Sequence, residues 1–527
     1  SNIGFNLKIN KNYTVSKENL KFESLNTDIV EVDNNGVIKG ISDGKTGVKI
    51  TDITTNIETV AQIIVGERNS NIYKISAGVN HTIALKNDGT VWSWGDNTYG
   101  QLGDGGVLTS ETENPIQVSG VNGSKYLSDV VDIASGTYFS IALLKNGNVV
   151  AWGLNNDGQL GNIGEISRKP VFVMDYNGNK LSGIVGISAS RNHAIAVRAD
   201  GTVFTWGSND YGQLGNNTKT SSAYAIQVLD STGNDYLKDV VQVSAGAAYV
   251  SVVKNDGTVW SWGAGASAQM GDGARTQRSL PVQAKNVTDV KKVATGCYIT
   301  LVLKNDGTVW AWGLNRYGQL GIGVSSTSSS DANYVRTTAV QVKLNSTDYL
   351  TDVVDIGTAY ESSFAVTSDG TAYAWGLNNY SQLGIITSSN VNLPTKCLRR
   401  YYNELEPKII GLFSNSEPAY TNYMIREDGS ILSCGKSNNG QLLDGGKYET
   451  RSYIEDVRTS YLEVTDKIST IKLGSSKKLS VRTVENFNLF AKAPEYGNLT
   501  WKSTNENIAT VDKAGNVIAK KIGATTI

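Results

Sequence analysis

ISAGVNHTIALKNDGTVWSWGDNTYGQLG, residues 75–103, returns as VATGCYITLVLKNDGTVWAWGLNRYGQLG at residues 293–321. Aligned on the glycine after the tryptophan, the copies fall at Gly95, Gly153, Gly207, Gly263, Gly313, Gly376 and Gly435, spaced 50–63 residues apart. Self-similarity of this kind marks an architecture whose units bury their apolar faces against one another. Within a copy, the apolar run Ile83-Ala84-Leu85 meets Asn87-Asp88-Gly89 and then a second run, Val91-Trp92-Ser93-Trp94. The turn recurs at Asp200-Gly201, Asp256-Gly257, Asp306-Gly307, Asp369-Gly370 and Asp428-Gly429, with Asn146-Gly147 as a shortened form. Asn-Asp-Gly offers the positive φ values of a tight hairpin turn, so each copy reads as β structure.

After the turn, large apolar residues alternate: Trp92/Trp94, Val150/Trp152, Phe204/Trp206, Trp260/Trp262, Trp310/Trp312, Tyr373/Trp375 and Leu432/Cys434. Period two puts both members of a pair on one strand face. Recurrence at one strand position indicates a core between repeats rather than a sugar-stacking surface. A Gly/Asn-rich loop then ends in Gln-Leu-Gly, as at Gln101-Leu102-Gly103, with Gln269-Met270-Gly271 and Gln441-Leu442-Leu443 as drifted copies. Seven small sheets with two apolar faces each fit an all-β fold, a seven-bladed β-propeller closed into a ring.

Composition narrows the function. The 527 residues suggest three or four domains. Lys and Arg number 48 against 49 Asp and Glu, a net charge of −1, which argues against nucleic-acid binding. No run of 18 apolar residues exists, so no membrane insertion is expected. Two His and three Cys leave little material for a metal site or a His-dependent triad. Cys297, Cys397 and Cys434 lack CxxC spacing; one pair could bridge, but three buried small hydrophobes are the simpler reading.

The repeated pattern SAG..H..AL..DG.V..WG.N..GQLG resembles the RCC1 (regulator of chromosome condensation) repeat over residues 70–462. That resemblance implies a seven-bladed propeller. WD40 repeats fit less well, since no Gly-His…Trp-Asp pairing is present, and the sialidase Asp-box is not met. Outside the ring, LTWKSTNENIATVDKAG at residues 499–515 matches LKFESLNTDIVEVDNNG at 20–36. Both read as immunoglobulin-like sandwiches and resemble the bacterial Ig-like group 2 (Big2) module. Residues 1–66 form such a module lacking its first strand, and 463–527 one lacking its last strands. Trp501 and Phe22 are their expected core aromatics. These ends suggest an excerpt of a longer multi-module protein, and the incomplete modules suggest self-association through unpaired edges.

No catalytic site, cofactor or metal site emerges. His81 and His193 share a repeat position held elsewhere by Phe139, Tyr249, Ile299, Ser362 and Thr421, so they read as structural. The hairpin aspartates are explained by turn geometry, none makes a calcium loop, and no phosphate loop or nucleophile elbow is present. Arg191, Arg198, Arg275, Arg278, Arg316 and Arg336 form no recurring trio such as a sialidase uses on its substrate carboxylate.

Binding is the better expectation. One candidate partner-binding face is the variable ring of positions before the second strand: Asn80, Tyr138, Asn192, Ala248, Tyr298, Glu361 and Tyr420, with Tyr249 from the adjoining position. Tyrosine is a frequent hot-spot residue, although these could equally line the mouth of the ring. The alternative is the set of inter-blade insertions at 104–128, 162–183, 216–238, 322–350 and 385–411, the last carrying Arg399-Arg400-Tyr401-Tyr402. The sequence thus points to a bacterial, secreted or cell-surface recognition or adhesion protein, not an enzyme. Its propeller would bind an unidentified protein, with a glycan as second choice, and Ig-like spacers would display it. Bacterial relatives of such a propeller include a β-lactamase inhibitor, a precedent the resemblance supplies. Nucleotide exchange on a small GTPase, the role of the eukaryotic namesake, fits neither the neutral charge nor the Ig-like flanks. A spacer or surface-layer component without a ligand is the alternative, and a glycan-active protein stands last.

Overall fold

In a computed structural model of the protein, seven four-stranded antiparallel sheets follow one another along the chain. The structure describes residues 19–28, 30–34, 38–40, 44–53, 57–65, 72–106, 111–385, 387–397, 408–413, 420–426, 431–442, 448–456, 460–464, 476–478, 481–485, 506–507, 509–511 and 516–520. Blade 1 consists of Ile72–Ala77, His81–Lys86, Val91–Gly95 and Thr112–Gln117, and blade 7 of Ile409–Phe413, Thr421–Arg426, Ile431–Ser437 and Tyr448–Asp456. The first strands of successive blades contact one another, and that of blade 7 meets that of blade 1. They therefore line the channel, and the ring is closed. Every blade is built from consecutive strands, so closure relies on seams between sheets rather than on a shared sheet.

Six of the seven seams are made by the same two motifs. The third-strand tryptophan donates its indole N–H to the backbone carbonyl of the preceding blade's Gln-Leu-Gly glutamine: Trp152 to Gln101 (2.9 Å), Trp206 to Gln159 (3.0 Å), Trp262 to Gln213 (2.9 Å), Trp312 to Gln269 (2.8 Å) and Trp375 to Gln319 (2.9 Å). Trp94 closes the circle on Gln441 at 2.8 Å. At the one seam without tryptophan, the Cys434 thiol and the Asn422 amide donate to Gln382. All six of these indoles are fully buried. The motif glycine makes room for them: a Cβ at Gly103, φ +65°, would lie 2.8 Å from the Trp152 ring. The glutamine side chain folds back on its own loop, where Gln101 Oε1 accepts from the Tyr99 N–H.

The Asn-Asp-Gly turn differs in detail from the sequence expectation. Only its glycine takes a positive φ, as at Gly89 (+79°); the Gly89 N–H donates to Lys86 and the Lys86 N–H to the Thr90 carbonyl. This is a three-residue loop with a glycine bulge. Asp88 caps it by accepting from the Thr90 N–H and hydroxyl. The Gly89 carbonyl then accepts from the N–H of Val130, the first residue of blade 2, and the same bond recurs from Ile184, Val240, Val290, Val353 and Ile409.

Side chains of the inner strands are bonded across the seams. Lys74 pairs with Asp132 (2.7 Å) and Lys292 with Asp355, and Asp355 also accepts from the Leu412 N–H. Gln242 binds the Val293 peptide, and Ser76 and Ser188 accept from the N–H groups of Ser135 and Ala245.

The inter-blade insertions expected from sequence are not single loops. Each contains the outermost strand of its blade: Thr112–Gln117, Ile166–Phe172, Ser222–Gln227, Val335–Gln341 or Val391–Lys396. Alternation had failed to reveal these strands because each is half-exposed and bends at a register shift opposite the Trp-Gly pair, as between Ala151 and Gly153. Each insertion is thus split into two loops on opposite faces.

The chain divides into two compact units, Ser1–Val457 and Arg458–Ile527. At the N-terminal end, Leu20–Ser24, Gly44–Asp52 and Ile57–Val65 form one sheet and Val30–Val32 pairs with Ile38–Gly40. Phe22 packs with Leu20 and Val32 on buried Val30, Val48 and Ile50. In the second unit, Ser476–Lys478, Asn516–Ala519 and Ala509–Val511 form a sheet and Ser460–Val464 pairs with Val481–Glu485. Trp501 lies outside the described residues.

Candidate partner-binding faces

The strand order gives the ring two faces. On the upper one lie the loops between first and second strands, carrying the variable ring of positions, and the Gln-Leu-Gly loops. On the lower one lie the Asn-Asp-Gly turns and the loops that lead into the next blade.

The upper ring is largely engaged by the chain itself. Residues two or three before the motif glutamine in one blade pair with the variable position of the next. Tyr99 packs on Tyr138 (5.0 Å between ring centres), Asp157 accepts from Asn192 (2.7 Å), Arg316 holds Glu361 through two bonds (2.8 and 3.2 Å), and Tyr380 packs on Tyr420 (4.3 Å). Glu361 is fully buried, so it cannot offer the exposed contact expected of it. Burial pushes its carboxyl pKa up, and Arg316 opposes that shift. Asn80, Tyr138, Tyr298 and Tyr420 are half-buried. Tyr360 packs edge-on against Tyr420 at 5.2 Å, and burial raises its phenol to about 12. The Tyr298 phenol also stands at about 12, chiefly through the neighbouring Cys297.

Tyr249 is a correction. Its side chain is fully buried and its hydroxyl donates to the Ile299 carbonyl at 2.5 Å. The cause is visible three residues earlier, where a Cβ at Gly246 would sit 2.2 Å from the Tyr249 ring. Gly136 and Phe139 (1.9 Å) and Gly78 and His81 (2.3 Å) repeat this arrangement, so a ring after Ser-Ala-Gly lies back on its own strand. His81 and His193 occupy the same buried position, and burial depresses both to about 4. A neutral imidazole bonded to Ser140 (3.0 Å) is a packing group. Arg399, Arg400, Tyr401 and Tyr402 lie outside the described residues. Among the described residues no three His, Cys, Asp or Glu side chains gather as a metal would require. No helix there is long and apolar enough to cross a membrane.

Among the described residues of the ring, exposed large apolar side chains lie on both faces, Ile163, Ile166, Tyr211 and Val324 on the upper and a larger set on the lower. Tyr126, Tyr236 and Tyr349 are 42–47% exposed and Tyr176 is 78% exposed. Around the channel mouth, Val241, Val354 and Ile410 are 44–58% exposed at the bulge that opens each inner strand. The loops carry a signature the sequence reading missed, Tyr-Leu-x-Asp-Val at 126–130, 236–240 and 349–353. Its leucine is buried, and its aspartate takes a positive φ (57°, 63° and 58°). The aspartate carbonyl accepts from the hairpin turn of the blade it leads into, from the N–H groups of Lys145, Asn255 and Ser368. The tyrosine is left pointing outward beside a fixed backbone.

These features define the class: a closed seven-bladed β-propeller whose blades are joined by Trp–Gln seams. A model of the RCC1-like domain matches residues 167–492, more than half of the chain, and the chain belongs to that family. RCC1 repeat models match residues 72–101, 130–159 and 88–143, and a bacterial Ig-like domain (group 2) model matches 460–527. Among similar proteins, human E3 ubiquitin-protein ligase HERC2 is 32% identical over 44% of this chain, and human probable E3 ubiquitin-protein ligase HERC6 is 34% identical over 42%. The matches span only 5% and 20% of those proteins. Among solved structures, Prp20p of Saccharomyces cerevisiae aligns with a TM-score of 0.57 at 21% identity, covering 71% of this chain and 87% of that one. Human WBSCR16 aligns at 0.55 and 19%, covering 72% and 90%. Both share the fold.

Proposed function

We propose that the chain is a non-catalytic recognition protein whose propeller binds a protein partner through its lower face. The observation that carries this reading is the exposure, on that one face, of Tyr126, Tyr176, Tyr236 and Tyr349 on loops between blades and of Val241, Val354 and Ile410 where inner strands begin. Rigid aromatic side chains on a fixed backbone bury area at low entropic cost, and tyrosine is enriched among binding hot spots. A propeller of this fold that engages proteins has a precedent in Prp20p, described for its binding to Gsp1p and histones. The upper ring, including Tyr138, Tyr298 and Tyr420, is the second face to test.

Display outside a bacterial cell on Ig-like spacers belongs to the same proposal, supported by the group 2 Ig-like match. The relatives named above are human, and their ligase designation belongs to proteins of which this chain spans a small part. The test is affinity capture from envelope and extracellular fractions with the whole chain, a Tyr126→Ala/Tyr236→Ala/Tyr349→Ala triple variant and a Tyr138→Ala/Tyr298→Ala/Tyr420→Ala triple variant. Capture of a defined protein that only the first variant loses supports the lower face, and loss only in the second moves the site to the upper ring. Capture of glycan alone, or of nothing, overturns the protein-binding reading and favours a spacer.

A further inference from the structure

The seams share a second feature beyond the Trp–Gln bond. The tryptophan of one blade and the residue just after the fourth strand of the preceding blade converge on the motif glycine. A Cβ at Gly103 would lie 2.8 Å from Trp152 and 3.0 Å from Val118; at Gly321 it would lie 2.8 Å from Trp375 and 2.9 Å from Val342. At the seam between blades 6 and 7 both partners are replaced together: Cys434 stands in the tryptophan position and Cys397 in the valine position. Their thiols donate to neighbouring peptide carbonyls, Cys434 to Gln382 (3.2 Å) and Cys397 to Leu383 (3.4 Å). Cys434 is buried in an apolar cluster with Leu383, Met424 and Leu432, and the half-buried Cys397 packs against that same cluster. In the structure the two cysteines are unbridged.

We propose that Cys397 and Cys434 are a reversible dithiol–disulfide pair that staples blade 6 to blade 7. The oxidant is a low-molecular-weight disulfide. The half-buried Cys397 loses its proton and its thiolate attacks one sulfur of that disulfide, breaking the S–S bond and expelling one small thiolate. The Cys434 thiolate then attacks the Cys397 sulfur of the mixed disulfide and expels the second. Two protein thiols are oxidised, one disulfide is reduced to two thiols, and the two cysteine protons end on the released thiols. Burial raises both thiol pKa values, Cys434 to about 12 and Cys397 well above the ordinary range, so exchange in the closed seam is slow and quickens with alkalinity. Once formed, the bridge closes a loop within the last two blades and restricts the opened chain.

The whole chain is refolded from its reduced, unfolded state in a mixture of reduced and oxidised glutathione at about pH 8.5, near the ordinary thiol pKa. It is then alkylated, digested without reduction and analysed by mass spectrometry, beside a sample kept in dithiothreitol. The expected product is a Cys397–Cys434 cross-linked peptide, lighter by two hydrogens than the separate peptides, with Cys297 alkylated. The bridged sample unfolds at a higher temperature than the reduced one, and Cys434→Ser removes both the link and the shift. Glutathione adducts or alkylation at Cys397 and Cys434 without the link would overturn the proposal. So would links to Cys297 in equal yield, or a link that leaves the unfolding temperature unchanged.

Discussion

The seam carbonyls do not all have the same number of donors, and that difference predicts which tryptophans matter most. Gln101, Gln269 and Gln319 accept not only an indole N–H but also a hydroxyl, from Ser140, Thr300 and Ser363. The same strand position is Ala194 in blade 3 and Val250 in blade 4, which leaves Trp206 and Trp262 as the side-chain donors to Gln159 and Gln213. Replacing each tryptophan by phenylalanine removes similar volume everywhere, at about 1 kcal/mol for the smaller ring. Only at 206 and 262 does it leave a buried carbonyl without its donor, which adds about 2 kcal/mol. Trp206→Phe and Trp262→Phe should therefore lose about 3 kcal/mol, and Trp152→Phe, Trp312→Phe and Trp375→Phe about half that. Urea denaturation followed by far-ultraviolet circular dichroism measures the differences. Adding Ala194→Ser to Trp206→Phe should recover about 1 kcal/mol by restoring the hydroxyl found in blade 2. Equal losses at all five sites, or no recovery with Ala194→Ser, would refute the reasoning.

Acid should destabilise the ring through its histidines. His81 titrates near 4 when folded against an ordinary 6.5, so the unfolded chain binds the proton first; the stability present above pH 6.5 is lost as pH falls toward 4. The span corresponds to at most about 3 kcal/mol, and His81→Phe, which copies the Gly136–Phe139 pair, should flatten that part of a pH–stability curve. Gly136→Ala places a Cβ 1.9 Å from the Phe139 ring and should cost more than about 2 kcal/mol by denaturation. Adding Phe139→Ser removes the ring contact, as in blade 6 where Ala359 is combined with Ser362, but leaves the Cβ 2.8 Å from the Arg191 carbonyl, so recovery should be partial. Arg316→Ala leaves the buried Glu361 carboxylate alone and should lose about 3 kcal/mol, the low end for a broken buried pair because Arg316 is one-third exposed. Much of that loss should return in Arg316→Ala/Glu361→Gln, a double-mutant cycle that fails if the two losses simply add.

What was legible in the sequence is what recurs. The tryptophans, the turn glycines and Gln-Leu-Gly repeat because six of the seven seams use the same indole, the same close approach and the same carbonyl, so blade number and ring closure followed from counting. Contacts between unlike residues of neighbouring blades do not repeat. Nothing in the spacing of Tyr99 and Tyr138, or of Arg316 and Glu361, announces that they meet, so a variable ring read as open surface when much of it is paired. The burial of Tyr249 does have a mark in the sequence, a glycine three residues before the ring, which lets the side chain fold onto its own strand. Tyr-Leu-x-Asp-Val was visible but had been divided between insertion and strand.

The two faces also differ in what a change of binding residue would cost. On the upper face the variable residues hold the blades together, so exchanging Glu361 or Tyr420 disturbs a seam as well as a surface. On the lower face these roles fall to different residues of one short motif. A buried Leu127, Leu181, Leu237, Val287 or Leu350 anchors the loop, and a positive φ at Asp129, Gly183, Asp239, Asp289 or Asp352 sets its path. The position before the anchor is Tyr126, Lys180, Tyr236, Asn286 or Tyr349, three chemistries on one backbone within a single chain. A surface whose exposed residue changes while its anchors stay can be fitted to a partner without reworking the ring. For that reason the lower loops, rather than the more conspicuous upper tyrosines, are where specificity can be altered at least cost to folding.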